Sequence, residues 1–155
     1  EHVHTPANSP SMADGAALSL IGSLDAKEQL GVAPRARIRS MCNTNADIHT
    51  VITGAVIAAK ELMRRENLQA EDVDLFEIHE AFAATMLMCK QELGIDDDKL
   101  NVNGGCIALG HPLGATGTIM LSTLLDELER RNLSTGIVAA SGAAGTGAAL
   151  LIERI

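Results

Sequence analysis

The sequence predicts a layered α/β protein: one mixed sheet of five strands with helices on both faces. Three observations carry that reading. The chain has 155 residues, enough for one full core and too few for two ordinary domains. It is 46% hydrophobic with 14 glycines and only two aromatic residues, both Phe, so its core must be built from closely packed Ala, Leu, Ile and Val. Short apolar runs of strand length also alternate along the chain with amphipathic stretches of helical period.

Residues 1–15, with two prolines and the segment NSPSMADG, read as irregular chain followed by a short capped turn. Ala16–Ser23, AALSLIGS, is an apolar run expected to form the first strand, and Asp25–Leu30 is a short helix ended by Gly31. Arg35–Cys42 alternates basic and apolar residues, the mark of a half-exposed strand. From Asp47 or Thr50 to Asn67, Val51, Val56, Ile57, Leu62 and several alanines support an amphipathic helix. The tetrapeptide LFEI, residues 75–78, is a strand, and the segment from His79 to Gly94 reads as a helix with Phe82, Met86, Cys89 and Leu93 on one face. Ile119–Asn132 places Met120, Leu121, Leu124, Leu125 and Leu128 on one stripe. Gly136–Ala140 and Ala148–Ile152 are two strands that close as an antiparallel hairpin around SGAAGTG.

Between the last two helices lies Asn101–Gly117, NVNGGCIALGHPLGATG, with five glycines, one proline and a single imidazole, His111. Such a loop bends sharply and presents one side chain. Pro112 biases His111 toward extended backbone, Gly110 and Gly114 allow turns on either side, and Thr116 is placed to cap the next helix. His111 then stands ahead of a helix N-terminus, suited to accept a proton. His79 lies where a strand hands over to a helix, a position at which α/β proteins place chemistry.

Composition excludes several classes of function. A net charge of −8 with no Lys/Arg cluster argues against nucleic acid or an anionic membrane as partner. Apolar runs stay well short of a membrane span and no signal-peptide pattern is present, so a cytoplasmic location is expected. Cys42, Cys89 and Cys106 have neither disulfide count nor CxxC spacing and read as reduced thiols. No metal is expected, because His2 and His4 lack a third ligand nearby. The sequence starts at Glu1 without a Met, as a processed piece or fragment would.

Four segments in order resemble the thiolases, enzymes that cleave or form 3-oxoacyl-CoA thioesters. ANSPSMADGAAL is similar to the family's GNxSxxNDGAA, HEAFAA resembles NEAFA, the GHP loop is intact, and SGAAGTG falls where the family has CxGGGxG. The match spans the whole chain and corresponds to the C-terminal half of a thiolase, whose N-terminal half has a similar fold and carries the nucleophilic cysteine. The resemblance implies coenzyme A as substrate with no other cofactor, a thiolase N-terminal half as partner, and assembly into a homo-oligomer, a dimer or tetramer.

The resemblance also assigns roles. His111 matches the base that generates the cysteine thiolate. His79 matches the asparagine that orients a water at the oxyanion site; HEAF occurs in some degradative members, which points to fatty acid or related degradation. Ala81 and Phe82 match positions lining the CoA tunnel, and the backbone N–H of Ala143 matches an oxyanion donor. Ser141 departs from the pattern: the family has a cysteine there that protonates the acetyl-CoA enolate and deprotonates incoming CoA, and a hydroxyl is a far weaker acid. Ala143 and Ala144 replace family glycines. Three explanations stay open: an inactivating change at 141, another acid, with Cys106 beside the GHP loop as candidate where the family usually has alanine, or a shifted register in the Gly-rich turn. The expected function is therefore acyl transfer between CoA thioesters by an enzyme of which this chain alone is inactive. The alternative is a noncatalytic CoA-ester-binding or structural subunit.

Overall fold

The computed structural model describes residues 2–155. After a 3-10 turn at Pro6–Asn8, capped by Thr5, the elements run α1 (Leu24–Leu30), β1 (Ala36–Asn45), α2 (Gly54–Glu66), β2 (Leu75–Ile78), α3 (Ala83–Leu93), α4 (Cys106–Leu109), α5 (Thr116–Arg131), β3 (Thr135–Ser141) and β4 (Thr146–Arg154). The four strands form one mixed sheet in the order β1-β4-β3-β2. β4 runs antiparallel to both β1 and β3, and β2 lies parallel to β3. The expected hairpin around the SGAAGTG turn is the β3–β4 pair, with Ser141 opposite Gly147.

Strand alternation divides the core into two layers. Phe76, Ile78, Ile137, Ala139, Ala149 and Leu151 face α2, which meets them with Ala55, Ala58, Ala59 and Leu62, all fully buried. On the opposite face Leu75, Val138 and Ile152 receive Met120, Leu124 and Leu128 of α5. The alanine-rich face of α2 permits an unusually close seat on the sheet. A Cβ at Gly54 would fall 2.0 Å from the Thr146 carbonyl oxygen, and one at Gly147 would fall 2.0 Å from the Gly54 oxygen. Only two glycines in register allow this contact.

Among the described residues the sheet has four strands rather than five. Residues 16–23 form no ladder, and Leu18, Leu20 and Ile21 are 93%, 70% and 70% exposed. An apolar run becomes a strand only when a neighbour satisfies its backbone, and the outer edge of β2 is already occupied. There the Phe76 N–H donates to Lys99 O at 2.8 Å, and the Asn101 N–H donates to Phe76 O at 2.9 Å. The Asn101 side chain extends this pairing to Ile78, accepting from the Ile78 N–H at 2.7 Å and donating to Ile78 O at 2.9 Å.

Other boundaries shift for local reasons. α1 ends as expected, with Gly31 left-handed at φ 64°. α2 starts at Gly54 because the chain before it is used in a 3-10 turn, Ile48–Thr50, capped by the Asp47 carboxylate. α3 starts at Ala83, so the HEAF segment is a bent linker rather than first helical turn. Among the described residues, no helix is long and apolar enough to cross a membrane.

Candidate active site

The site grows from the carboxyl end of the one parallel pair. The ladder continues one step past Ile78, where the His79 N–H donates to Ala139 O at 2.8 Å; the chain then turns, with Ala81 N–H donating to His79 O at 2.9 Å. This turn plants the His79 side chain in the interior, 7% exposed. Neither ring nitrogen has a hydrogen-bond partner. Burial, reinforced by neighbouring His111, lowers the His79 pKa; the Ser141 backbone, near the ring but outside hydrogen-bonding geometry, opposes the shift without reversing it, so the ring is held neutral.

The GHP loop brings the second imidazole to the first. Gly110 sits at φ 92°, ψ 162°, a region essentially reserved for glycine, and a Cβ there would lie 2.7 Å from Ala13 Cβ. The turn lets His111 run beside residues 11–13 as a short parallel bridge, with His111 N–H donating to Ser11 O at 2.8 Å. The extended backbone expected ahead of Pro112 is therefore present. The left-handed residue after Pro112 is Leu113 at φ 43°, not Gly114. Thr116 does not cap α5. As the first residue of the helix it turns its hydroxyl to His111 Nδ1 at 2.7 Å, which fixes the ring and leaves Nε2 free. The His79 and His111 ring centroids are 4.6 Å apart, tilted by 43°.

Cys106 opens α4 and joins the same cluster. The residue is 7% exposed, its Sγ lies 3.7 Å from Glu80 O, and burial raises the thiol pKa. That shift runs against service as a readily ionised acid near neutral pH. Glu80, which follows His79, fixes the loop from below: its carboxylate accepts from the Ile107 N–H at 2.8 Å and from Asn101 Nδ2 at 3.4 Å. Beneath the loop a cleft of about 30 Å³, room for one water, is lined by Glu77, Cys106, Gly110 and Thr116. Burial, with Glu80 nearby, pushes Glu77 up to about 8.

Ser141 occupies the end of β3, but its hydroxyl serves α2. It donates to Ile52 O at 3.0 Å and accepts from the Ala55 N–H at 2.9 Å. Ala143, itself exposed, begins a 3-10 turn, Ala143–Gly145, where an N–H has no partner within the turn. Ala144 within it is left-handed at φ 57°. Phe82 is half-buried, with its ring 4.5 Å from that of His4, and Ala81 adjoins it. The structure thus gathers His79, His111 and Cys106 tightly, places Ser141 and Ala143 at the neighbouring strand end, and sets Ala81 and Phe82 on the linker leaving the site. Sequence reasoning missed Glu80, Asn101 and Thr116 as the residues that position the cluster. Glu80 beside His79 and the polar start of the loop at Asn101 were the available signals.

Comparison with known proteins decides the family. Residues 32–154 match the family model for the thiolase C-terminal domain. The chain belongs to the thiolase family. Its thiolase domain is 42% identical over 154 residues to the 3-ketoacyl-CoA thiolase of Cronobacter sakazakii, an alignment covering 97% of this chain and 40% of that protein. It is 42% identical over 150 residues to the acetyl-CoA acetyltransferase of Cupriavidus necator, covering 97% of this chain and 38% of that one. The crystal structure of the Bacillus anthracis acetyl-CoA acetyltransferase superposes with a TM-score of 0.81 at 38% identity, over 86% of this chain and 34% of that chain. The thiolase domain therefore spans about two fifths of the length of the curated relatives it matches.

Proposed function

We propose that this chain supplies the base-bearing half of an acyltransferase that cleaves or forms 3-oxoacyl-CoA thioesters, acting in fatty acid or related degradation. The observation that carries the reading is the meeting of His79 and His111 at 4.6 Å between ring centroids, at the end of the parallel pair, in a chain of this family.

In this reading His111 Nε2 takes the proton of a cysteine thiol in the N-terminal half, and the thiolate attacks the ketone carbon of the substrate. The carbon–carbon bond breaks, the acyl group stays on sulfur, and the acetyl-CoA enolate takes a proton. Free CoA then loses its thiol proton and accepts the acyl group. Thr116 holds the His111 ring through Nδ1, so that its free nitrogen points where a proton is to be moved. Neutral His79 orients a water or donates directly to the enolate oxygen, and the Ala143 N–H serves the oxyanion of the other step. Ala81 and Phe82 line the path taken by CoA, which is a substrate; no other cofactor enters the reaction.

An N-terminal half as partner, with assembly into a dimer or tetramer, fits two features. The relatives are about two and a half times as long as the chain and residues 16–23 offer Leu18, Leu20 and Ile21 with no strand beside them.

The test is reconstitution. The chain alone should not cleave 3-oxoacyl-CoA, and joined to a matching N-terminal half it should form an acyl-enzyme in a single turnover. His111→Ala should slow that acylation by about 10²–10⁴ with folding little changed. Acylation at the parent rate would leave the loop a structural role, and an assembled parent that binds CoA esters without reacting would favour the noncatalytic subunit.

A further inference from the structure

The site holds a donor set that the acyl-transfer reading does not use as a set. One nitrogen of His79, one nitrogen of His111 and the Cys106 sulfur lie within 4.8 Å of one another. His79 is more than nine-tenths buried and neither ring nitrogen makes a well-formed hydrogen bond, the Ser141 backbone near it lying outside bonding geometry, an arrangement that costs stability unless a better partner approaches the ring. Cys106 is equally buried, with only a long contact from its sulfur to Glu80 O. His111 spends Nδ1 on Thr116 and keeps Nε2 uncommitted. A metal-binding imidazole is usually held by a hydrogen bond at its other nitrogen, and with Nε2 as the ligand the Thr116 hydroxyl oxygen can accept that bond from Nδ1.

We propose that His79, Cys106 and His111 form a binding site for a zinc-like divalent cation, with three protein ligands and one position open to solvent or substrate. Two imidazoles and a thiolate are the donors that tetrahedral zinc takes, and carboxylate-preferring Mg²⁺ or Ca²⁺ would be refused. Zinc bonds of about 2.0–2.3 Å set donor separations at roughly 3.5 Å, so the cluster must contract by about 1 Å, within reach of side-chain rotation. On binding, the Cys106 proton leaves for solvent and the sulfur takes the metal as thiolate. The site depends on the three donors alone. Its functional consequence rests on the acyl-transfer reading: a metal bound to His111 withholds the base, so the cation acts as a reversible inhibitor.

Cobalt(II) is the probe, because a cobalt–thiolate bond gives a charge-transfer absorption and a tetrahedral site gives strong visible bands. The protein should bind one cobalt with both features and lose them on adding Zn²⁺. Cys106→Ala, which puts in the family's usual small residue, should abolish the charge-transfer band, and His111→Ala should weaken binding while the thiolate band persists at higher cobalt. Thr116→Val should weaken binding about 10–100-fold. No charge-transfer band, or a band that survives Cys106→Ala and so arises from Cys42 or Cys89, overturns the site. In the assembled enzyme Zn²⁺ should slow acylation and a chelator should restore it. A cobalt band without zinc inhibition supports the site and counts against His111 as the base, which separates failure of one reading from failure of the other.

Discussion

Ser141 offers the sharpest test of the structure, because one hydroxyl is asked to do two things. Its Oγ donates to Ile52 O at 3.0 Å and accepts from the Ala55 N–H at 2.9 Å, and it thereby caps the start of α2 from another strand. The residue that would ordinarily cap this helix, Thr53, makes no side-chain bond to it. Removal of the hydroxyl in Ser141→Ala loses two hydrogen bonds at about 0.5–1.5 kcal/mol each and leaves the fully buried Ala55 N–H unsatisfied. The expected loss is about 2–4 kcal/mol, similar to or above the loss of a strong helix cap. For a chain of this size each kcal/mol lowers the melting temperature by about 2–4 °C. Thermal and urea unfolding of parent and variant measure it.

Ser141→Cys makes the second half of the test. A thiol is a weaker donor and acceptor, so the cysteine form should be less stable than the parent, though by less than the alanine form. If position 141 supplies the acid and base of the reaction, that same variant in the assembled enzyme should raise turnover by orders of magnitude, since a thiol with a pKa of about 8.5 exchanges protons near neutrality. Lower stability with higher activity is the signature. A Ser141→Ala form within about 0.5 kcal/mol of the parent would refute the capping argument, and an unchanged rate in the cysteine form would remove position 141 from the proton transfers.

Three further outcomes are expected. Gly110→Ala forces a side chain into a glycine-only conformation and against Ala13, and should cost about 1–3 kcal/mol while displacing His111, seen as lost acylation in the assembled enzyme. Ala144→Gly relieves a left-handed alanine at φ 57° and should stabilise by about 1 kcal/mol, read as a higher urea midpoint with an unchanged slope. Burial works to raise the pKa of Asp74, but hydrogen bonds from Thr135 and Ser134 outweigh it and hold the carboxyl below its ordinary range. Because the folded value lies below the unfolded one, Asp74 adds stability above the ordinary carboxylate range that is lost as pH falls through the folded value. Asp74→Asn should lose that part of the acid dependence, checked by urea midpoints from neutral pH downward.

Much of this could be read from residues alone, and the misses have physical causes. The leucine stripe of α5 and the alanines of α2 announce helices because a 3.6-residue period is a property of the segment itself. The β3–β4 hairpin is equally local. Residues 16–23 have the composition of a strand, yet a strand is completed by a neighbour, and nothing in AALSLIGS says whether one exists. His79 and His111 were legible as chemistry because each lies at a junction or in a glycine-rich bend. Their approach to Cys106 was not, since it depends on Glu80 binding the Ile107 N–H and on Asn101 closing the edge of β2. The use of the Ser141 hydroxyl at α2 links residues 86 apart, a separation no local pattern spans.

The strand order has a consequence for how the chain acquires its shape. β4, made last of the four strands, lies between β1 and β3, and its pairing joins Ala36 to Arg154 across the length of the sheet. During synthesis β1 must therefore wait, with its backbone unpaired and Cys42 not yet buried, until residues 146–154 have emerged. Assembly from such distant parts is slow compared with a helical bundle, and the waiting strand is a natural target for chaperones. A stop codon before Thr146 would not trim an edge; it would remove the strand that holds β1 to the sheet and leave a partial α/β layer without a closed core.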